Sequence, residues 1–197
     1  MKGISNTNKM VSIRLTGGHS FSVPTTEKVD VVELLTEHTL LVPEQFYAAE
    51  GIRAAFAASG MALDQEMQII PIRTDKGMMA LVALTTDEHE TLKRAYDEEV
   101  RYTTPLLSPV GNIEPTIWLC DTGDLIYIKV WSDGKLRMAE VLPRTKPEDV
   151  LYYAATIDKR FGLNGYRVIV AGAKAVEAEV REPAKLLNKF YNKVVCE

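Results

Sequence analysis

Asp121-Thr122-Gly123, directly after the apolar run from Ile117 to Cys120, is the tripeptide whose residue types most readily do chemistry. A carboxylate in such a turn can activate water when a second carboxylate shares its proton, because two like charges held together cannot both ionise. That chemistry takes two copies of the tripeptide; the chain carries one, so a dimer would be required to complete the pair. The histidines offer less. His19 falls in a glycine turn, His38 among acidic residues and His89 in the first turn of an expected helix. None pairs with another His or a Cys at metal-ligand spacing, so all three read as surface residues. Ser20 and Ser59 lack the G-x-S-x-G setting of a nucleophile elbow. Cys120 and Cys196 stand in unrelated contexts, which argues for two thiols rather than a zinc site or a disulfide framework.

The elements that must position these residues are marked by turn chemistry. Val11, Ile13 and Leu15 alternate before Gly17-Gly18, and Phe21 and Val23 alternate after it, which predicts a hairpin. Val29 to Val42 is β-rich and predicts a third strand. Pro43 suits a helix first turn, with Phe46, Ala49, Ile52 and Phe56 at helical intervals up to Gly60. Met67–Ile72 and Met78–Leu84 flank Asp75-Lys76-Gly77 as a second hairpin, and Thr85-x-x-Glu88 is a capping box for a helix over 87–100. The first half thus reads β-β-β-α-β-β-α.

Ser108-Pro109 to Pro115 shifts to Pro, Gly and Asn and marks a boundary, giving lobes 1–110 and 111–197. Beyond it, Ile117–Cys120, Leu125–Trp131 and Leu136–Leu142 are strands of a meander turning at Asp121-Thr122-Gly123-Asp124 and Ser132-Asp133-Gly134-Lys135. Thr145-x-x-Glu148 with Pro147 predicts a helix whose stripe is Val150, Ala154, Ile157 and Phe161. Val168–Gly172 reads as a strand buried on both faces, and a last helix carries Leu186, Leu187, Phe190 and Val194. Each half is a meander, a helix and further strands, a weak internal duplication. The helices starting at Pro43, Asp87 and Pro147 contradict the almost entirely β architecture of aspartic proteases.

Composition narrows the function classes. With 197 residues, 46% of them hydrophobic and 25% charged, the chain has side chains enough for a sizeable core. Its net charge of -4 and the lack of a basic run argue against nucleic acid as a partner. The Lys and Arg from Lys174 to Lys193 are interspersed with Glu177, Glu179 and Glu182, as on a solvated helix face. Met1–Met10 is polar and no apolar stretch approaches the ~18 residues of a membrane span, so no direct membrane insertion is expected and the cytoplasm is the expected location. Core packing accounts for most of the aromatics Trp118, Tyr127, Trp131, Tyr152, Tyr153 and Tyr166; Tyr152 and Tyr153 cannot share one helix face, so a lobe interface or a partner surface is the alternative for one of them.

Ser12-Ile13-Arg14-Leu15 with Phe21-Ser22-Val23, Leu41-Val42-Pro43, and the meander from Asp124 to Val141 followed by Lys146–Tyr153 together resemble the actin, sugar-kinase and heat-shock-chaperone superfamily. They are most similar to a bacterial family of that fold which carries no established activity. The resemblance implies an α/β protein of the actin-like ATPase fold: two ribonuclease-H-like subdomains, each a mixed sheet opening with a β-meander plus helices. It also implies ATP in the cleft between them. In active members each meander turn carries an Asp before Gly-rich residues, so that backbone N–H groups cradle phosphate while the carboxylate holds magnesium through water. Carried over, the nucleotide-binding candidates are Thr16, Gly17 and Gly18 in the first turn, Asp121, Thr122 and Gly123 in the second, and Ala171 and Gly172 at the strand end that approaches adenosine.

Two departures weaken that carry-over. Arg14 and Leu15 stand where the first turn should supply an Asp, and the second turn lacks the longer Gly and Thr loop that wraps phosphates. No catalytic or metal residue is therefore assigned, and ATP with magnesium is not expected to bind tightly. The preferred expectation is a non-catalytic scaffold for an unidentified protein partner. An ATPase or kinase-like enzyme using the inter-lobe cleft is the alternative.

Overall fold

The computed structural model describes residues 9–17, 28–74, 77–96, 99–110, 114–162, 166–172 and 181–197. In the second half, turn residues and alternation produce the sheet they predict. β7 (Thr116–Asp121), β8 (Leu125–Ser132) and β9 (Lys135–Pro143) form an antiparallel meander. Asp133 and Gly134 both take positive φ, 53° and 68°, which lets a two-residue loop follow the twist of the strands. β10 (Arg167–Gly172) then adds parallel to β7, and β11 (Val194–Cys196) parallel to β10, for the order β11-β10-β7-β8-β9.

Period-two alternation gives this sheet two different faces. Ile117, Leu119, Ile126 and Val168 pack against α3 (Asp149–Phe161) and α4 (Arg181–Leu187) through Val150, Ala154, Ile157 and Leu187. Trp118, Cys120, Tyr127 and Ile169 face the other way and meet Leu35 and Leu106 of the first half. The sheet is thus covered on both sides. Each fully buried aliphatic chain there contributes about 1.5–3 kcal/mol.

In the first half, β1 (Met10–Arg14), β2 (Val31–Leu35) and β6 (Arg101–Thr103) form a parallel sheet in the order β1-β2-β6. β3 (Thr39–Pro43), β4 (Gln68–Arg73) and β5 (Met78–Leu84) form an antiparallel one in the order β3-β5-β4. β5 is buried on both faces: Met79, Leu81 and Ala83 pack with Phe56 of α1 (Ile52–Ala58), while Val82 and Leu84 pack with Ile13, Val32, Leu34 and Leu92 of α2 (Thr86–Ala95). Among the described residues no helix is long and apolar enough to cross a membrane.

Several local expectations change. The arm Phe21–Val23 of the first hairpin lies outside the described residues, and the described neighbour of β1 is β2, in parallel register. The segment read as one strand over 29–42 divides into β2 and β3, which belong to different sheets; the Thr39 hydroxyl donates to the Thr36 carbonyl and pins the corner between them. Pro43 ends β3 rather than opening a helix, and two 3-10 turns, Glu44–Phe46 and Ala49–Gly51, precede the short α1. At α3 it is Asp149, not Glu148, that collects the N–H groups of Thr145 and Lys146. Those bonds hold its carboxyl below the ordinary aspartate range. The final helix stops at Leu187, and Val194 lies in β11.

Candidate functional site

Asp121 closes β7 and Leu125 opens β8, so Thr122, Gly123 and Asp124 make the reversal between them. The geometry needs glycine: Gly123 has φ of 95°, in the left-handed region that a Cβ disfavours. The Thr122 N–H donates to the Leu125 carbonyl at 2.9 Å, and the Gly123 N–H donates to Asp121 Oδ1 at 2.9 Å. Gly172, the end of β10, lies opposite Asp121 in the parallel register, and Ala171 lies opposite Cys120. The sheet thereby brings five of the eight nucleotide-binding candidates to one strand end.

Two arginines hold that turn. Arg144 Nε stands 3.2 Å from Asp121 Oδ2, and the two side chains are only 9% and 2% exposed. The contact is a buried ion pair rather than an aligned hydrogen bond. Arg144 also donates from Nη1 to the Gly123 carbonyl at 3.0 Å. From the end of β1, Arg14 donates to the Thr122 carbonyl and pairs with Asp124 at 3.0 Å. Arg14 is the residue standing where an Asp was expected, and it crosses to the other half's turn. A second link is the Tyr127 hydroxyl, which donates to the Thr36 carbonyl at 3.1 Å; burial pushes this phenol's pKa well up and keeps its proton in place.

The first turn is closed by another device. The N–H groups of Thr16 and Gly17 donate to Glu88 Oε1 at 3.0 and 3.1 Å. Glu88 Oε2 accepts the Thr85 N–H at 2.9 Å, completing the capping box of α2. Gly18 lies outside the described residues. One buried carboxylate thus satisfies three backbone donors, two of them the groups that would have to face a phosphate.

A magnesium nucleotide does not fit these residues. Asp121 has one oxygen on the Gly123 N–H and the other against a guanidinium, so a hydrated cation would have to displace an ion pair already made. Phosphate oxygens at Thr16 and Gly17 would have to displace Glu88, another anion, from donors it already occupies. Among the described residues no group of three His, Cys, Asp or Glu side chains could hold a metal ion.

The spacing along the chain concealed Arg144 and half of the role of Glu88. The capping box accounts for Oε2 alone; the bridge from Oε1 joins residues 71 and 72 positions apart. Glu88→Gln tests that bridge, because the amide keeps the shape but presents an NH2 to one of the donor groups. We expect a loss of about 1–2 kcal/mol in urea unfolding. A change below about 0.3 kcal/mol, inside the usual range of surface substitutions, would show that the bridge contributes nothing.

No family model and no curated protein matches the chain. Among solved structures, a protein of Bacteroides thetaiotaomicron VPI-5482 with an actin-like ATPase fold and unknown function aligns with a TM-score of 0.64 at 16% identity, covering 86% of this chain and 68% of that one. The cytoplasmic domain of EpsL, an inner membrane component of the type II secretion system of Vibrio cholerae, aligns at TM-score 0.37 and 12% identity over 72% of this chain and 60% of that one. Pelota of Archaeoglobus fulgidus aligns at 0.30 and 15% over 63% and 36%. The first alignment agrees with the fold expected from the sequence: the chain has the actin-like ATPase fold.

Proposed function

We propose that this protein is a nucleotide-independent scaffold of the actin-like fold, built of lobes 1–110 and 111–197, which works in the cytoplasm by binding another protein. The observation that carries the reading is the internal satisfaction of both turns. Arg144 neutralises Asp121, and Glu88 takes the N–H groups of Thr16 and Gly17, so the groups that would do phosphoryl chemistry are engaged in holding the fold. Phosphoryl transfer needs a preorganised cation site and converging donors, and a site that must first break its own ion pair and cap supplies neither. The thiols of Cys120 and Cys196, both unbridged, suit a reducing compartment.

Titration with Mg-ATP tests the reading. A ligand present at about a hundred times its Kd stabilises the native state by about 2.7 kcal/mol. We expect no heat in calorimetry and no shift in melting temperature at millimolar Mg-ATP, and no hydrolysis above background. Micromolar binding would overturn the scaffold reading in favour of an ATPase or kinase-like enzyme.

A further inference from the structure

The strands that carry the closed turns at one end open at the other onto a groove of about 1520 Å³. Register fixes this arrangement. Met10, Val31 and Arg101 stand abreast at the starts of β1, β2 and β6 and line the groove, whereas Arg14, at the far end of β1, touches the Thr122 turn. β8 leaves that turn at Leu125 and reaches the groove at Lys129 and Trp131, and β9 enters it at Lys135. The groove is therefore at the opposite pole from the nucleotide-binding candidates.

We propose that this groove binds an extended, acidic segment of a partner protein, whose alternate apolar side chains enter between the two halves. The proposal deepens the scaffold reading and rests on it. Charge is the first argument. The chain carries a net charge of -4, yet the described residues lining the groove include Arg73, Arg101, Lys129, Lys135 and Arg137 against one carboxylate, Glu33. Not all of these are available. Lys129 is buried, with its ammonium on backbone carbonyls, and Glu33 accepts the Ser12 hydroxyl. Arg73 and Arg137 hold Glu44 and Asp133 in exposed pairs, which another carboxylate can replace at little cost. Arg101 and Lys135 are exposed, and the one carboxylate that feels the charge of Lys135, Asp133, is already hydrogen-bonded by Arg137.

Shape is the second argument. The volume exceeds the ~300–1,000 Å³ typical of small-molecule pockets. β6 and β9 are outer strands of their sheets, and both line the groove with residues that alternate in direction. Leu41, Ile72, Leu107 and Met138 supply apolar lining between the basic groups. An extended chain with acidic and apolar side chains on alternate residues meets both features, as peptide segments do when they lie along a sheet edge.

The test is selection from a displayed library of random dodecapeptides against the full chain, followed by calorimetric titration of the enriched peptides. We expect Asp or Glu alternating with apolar residues, binding that perturbs the fluorescence of Trp131, and affinity at least ~tenfold weaker for the double substitution Arg101→Glu with Lys135→Glu. Both side chains are exposed, so the variant should keep the parent's melting temperature; if it does not, Lys135→Glu alone serves. No enrichment, enrichment of basic or neutral peptides, or equal binding to parent and variant would overturn the proposal. So would a dimer of this chain that the substitutions dissociate, since the occupant would then be a second copy. Mg-ATP binding by parent and variant alike would sink the scaffold reading while leaving the peptide result to decide the groove.

Discussion

Asp121→Ala is expected to lower the free energy of unfolding by about 3–5 kcal/mol, the cost of leaving a buried charge without its partner. The uncompensated group is Arg144, 9% exposed, whose Nε loses the carboxylate 3.2 Å away. The Gly123 N–H loses its acceptor as well. A double-mutant cycle separates this structural role from a metal-binding one. Arg144→Met alone should also destabilise, because it leaves Asp121 buried and charged, but the combination of Asp121→Ala with Arg144→Met should cost much less than the sum of the two. Replacing both members of a buried pair is often neutral or stabilising when the new side chains pack. The coupling should fall in the range of about 0.5–3 kcal/mol found for residues in contact. Additive losses would show that the pair is incidental. An increase in stability on Asp121→Ala would point the other way, to a carboxylate kept at a cost to the fold for the sake of function.

The same pair shows which parts of this protein can be read from residue order. The second half's meander was legible because its turns declare themselves: Asp133-Gly134 needs positive φ and gets it, and each flanking strand alternates. The capping box of α2 was legible because Thr85 and Glu88 are three residues apart and answer one another locally. The division of 29–42 was not. Val, Leu and Thr dominate it on both sides of Glu37-His38, and the Thr36–Thr39 corner, closed by a hydrogen bond three residues apart, separates a parallel strand from an antiparallel one. The candidate site was half legible. The resemblance placed Asp121, Gly123 and Gly172 at one strand end, where the register puts them, and the Arg at position 14 signalled a lost carboxylate. What neutralises Asp121 comes from 23 residues further on, and what occupies Thr16 comes from 72. Contacts of that span depend on how the halves pack, and no local pattern encodes them. Tyr152 and Tyr153 fall between these cases. Their separation onto two faces was predictable, and Tyr153 donates to the Pro143 carbonyl while Tyr152 stays 68% exposed.

Lys129→Met should produce the second large effect, a loss of about 2–4 kcal/mol. Lys129 is 2% exposed, and its ammonium donates to the carbonyls of Ser108 at 2.6 Å, Leu106 at 3.1 Å and Pro105 at 3.4 Å. These acceptors belong to the 3-10 turn Pro105–Leu107 and the residue after it, whose carbonyls have few partners within so short a turn. The ammonium also lies 4.0 Å from the centre of the Trp118 ring. Each hydrogen bond from a charged donor is worth about 1.5–3 kcal/mol, and the desolvation cost of the buried ammonium offsets part of the sum. Met keeps most of the apolar stem, so its packing against Trp118 is largely retained and the loss reports on the contacts of the ammonium, those to the carbonyls and to the ring face together. For a chain of this size each kcal/mol moves the melting temperature by about 2–4 °C, so the expected fall is roughly 4–16 °C. The turn connects the first half to the second, and its Leu106 packs in the core cluster shared by both. Backbone amide exchange should therefore rise first over 104–110 in the variant, ahead of the strands on either side. A variant that melts with the parent, or one whose exchange rises uniformly, would show that Lys129 does not join the halves through this turn.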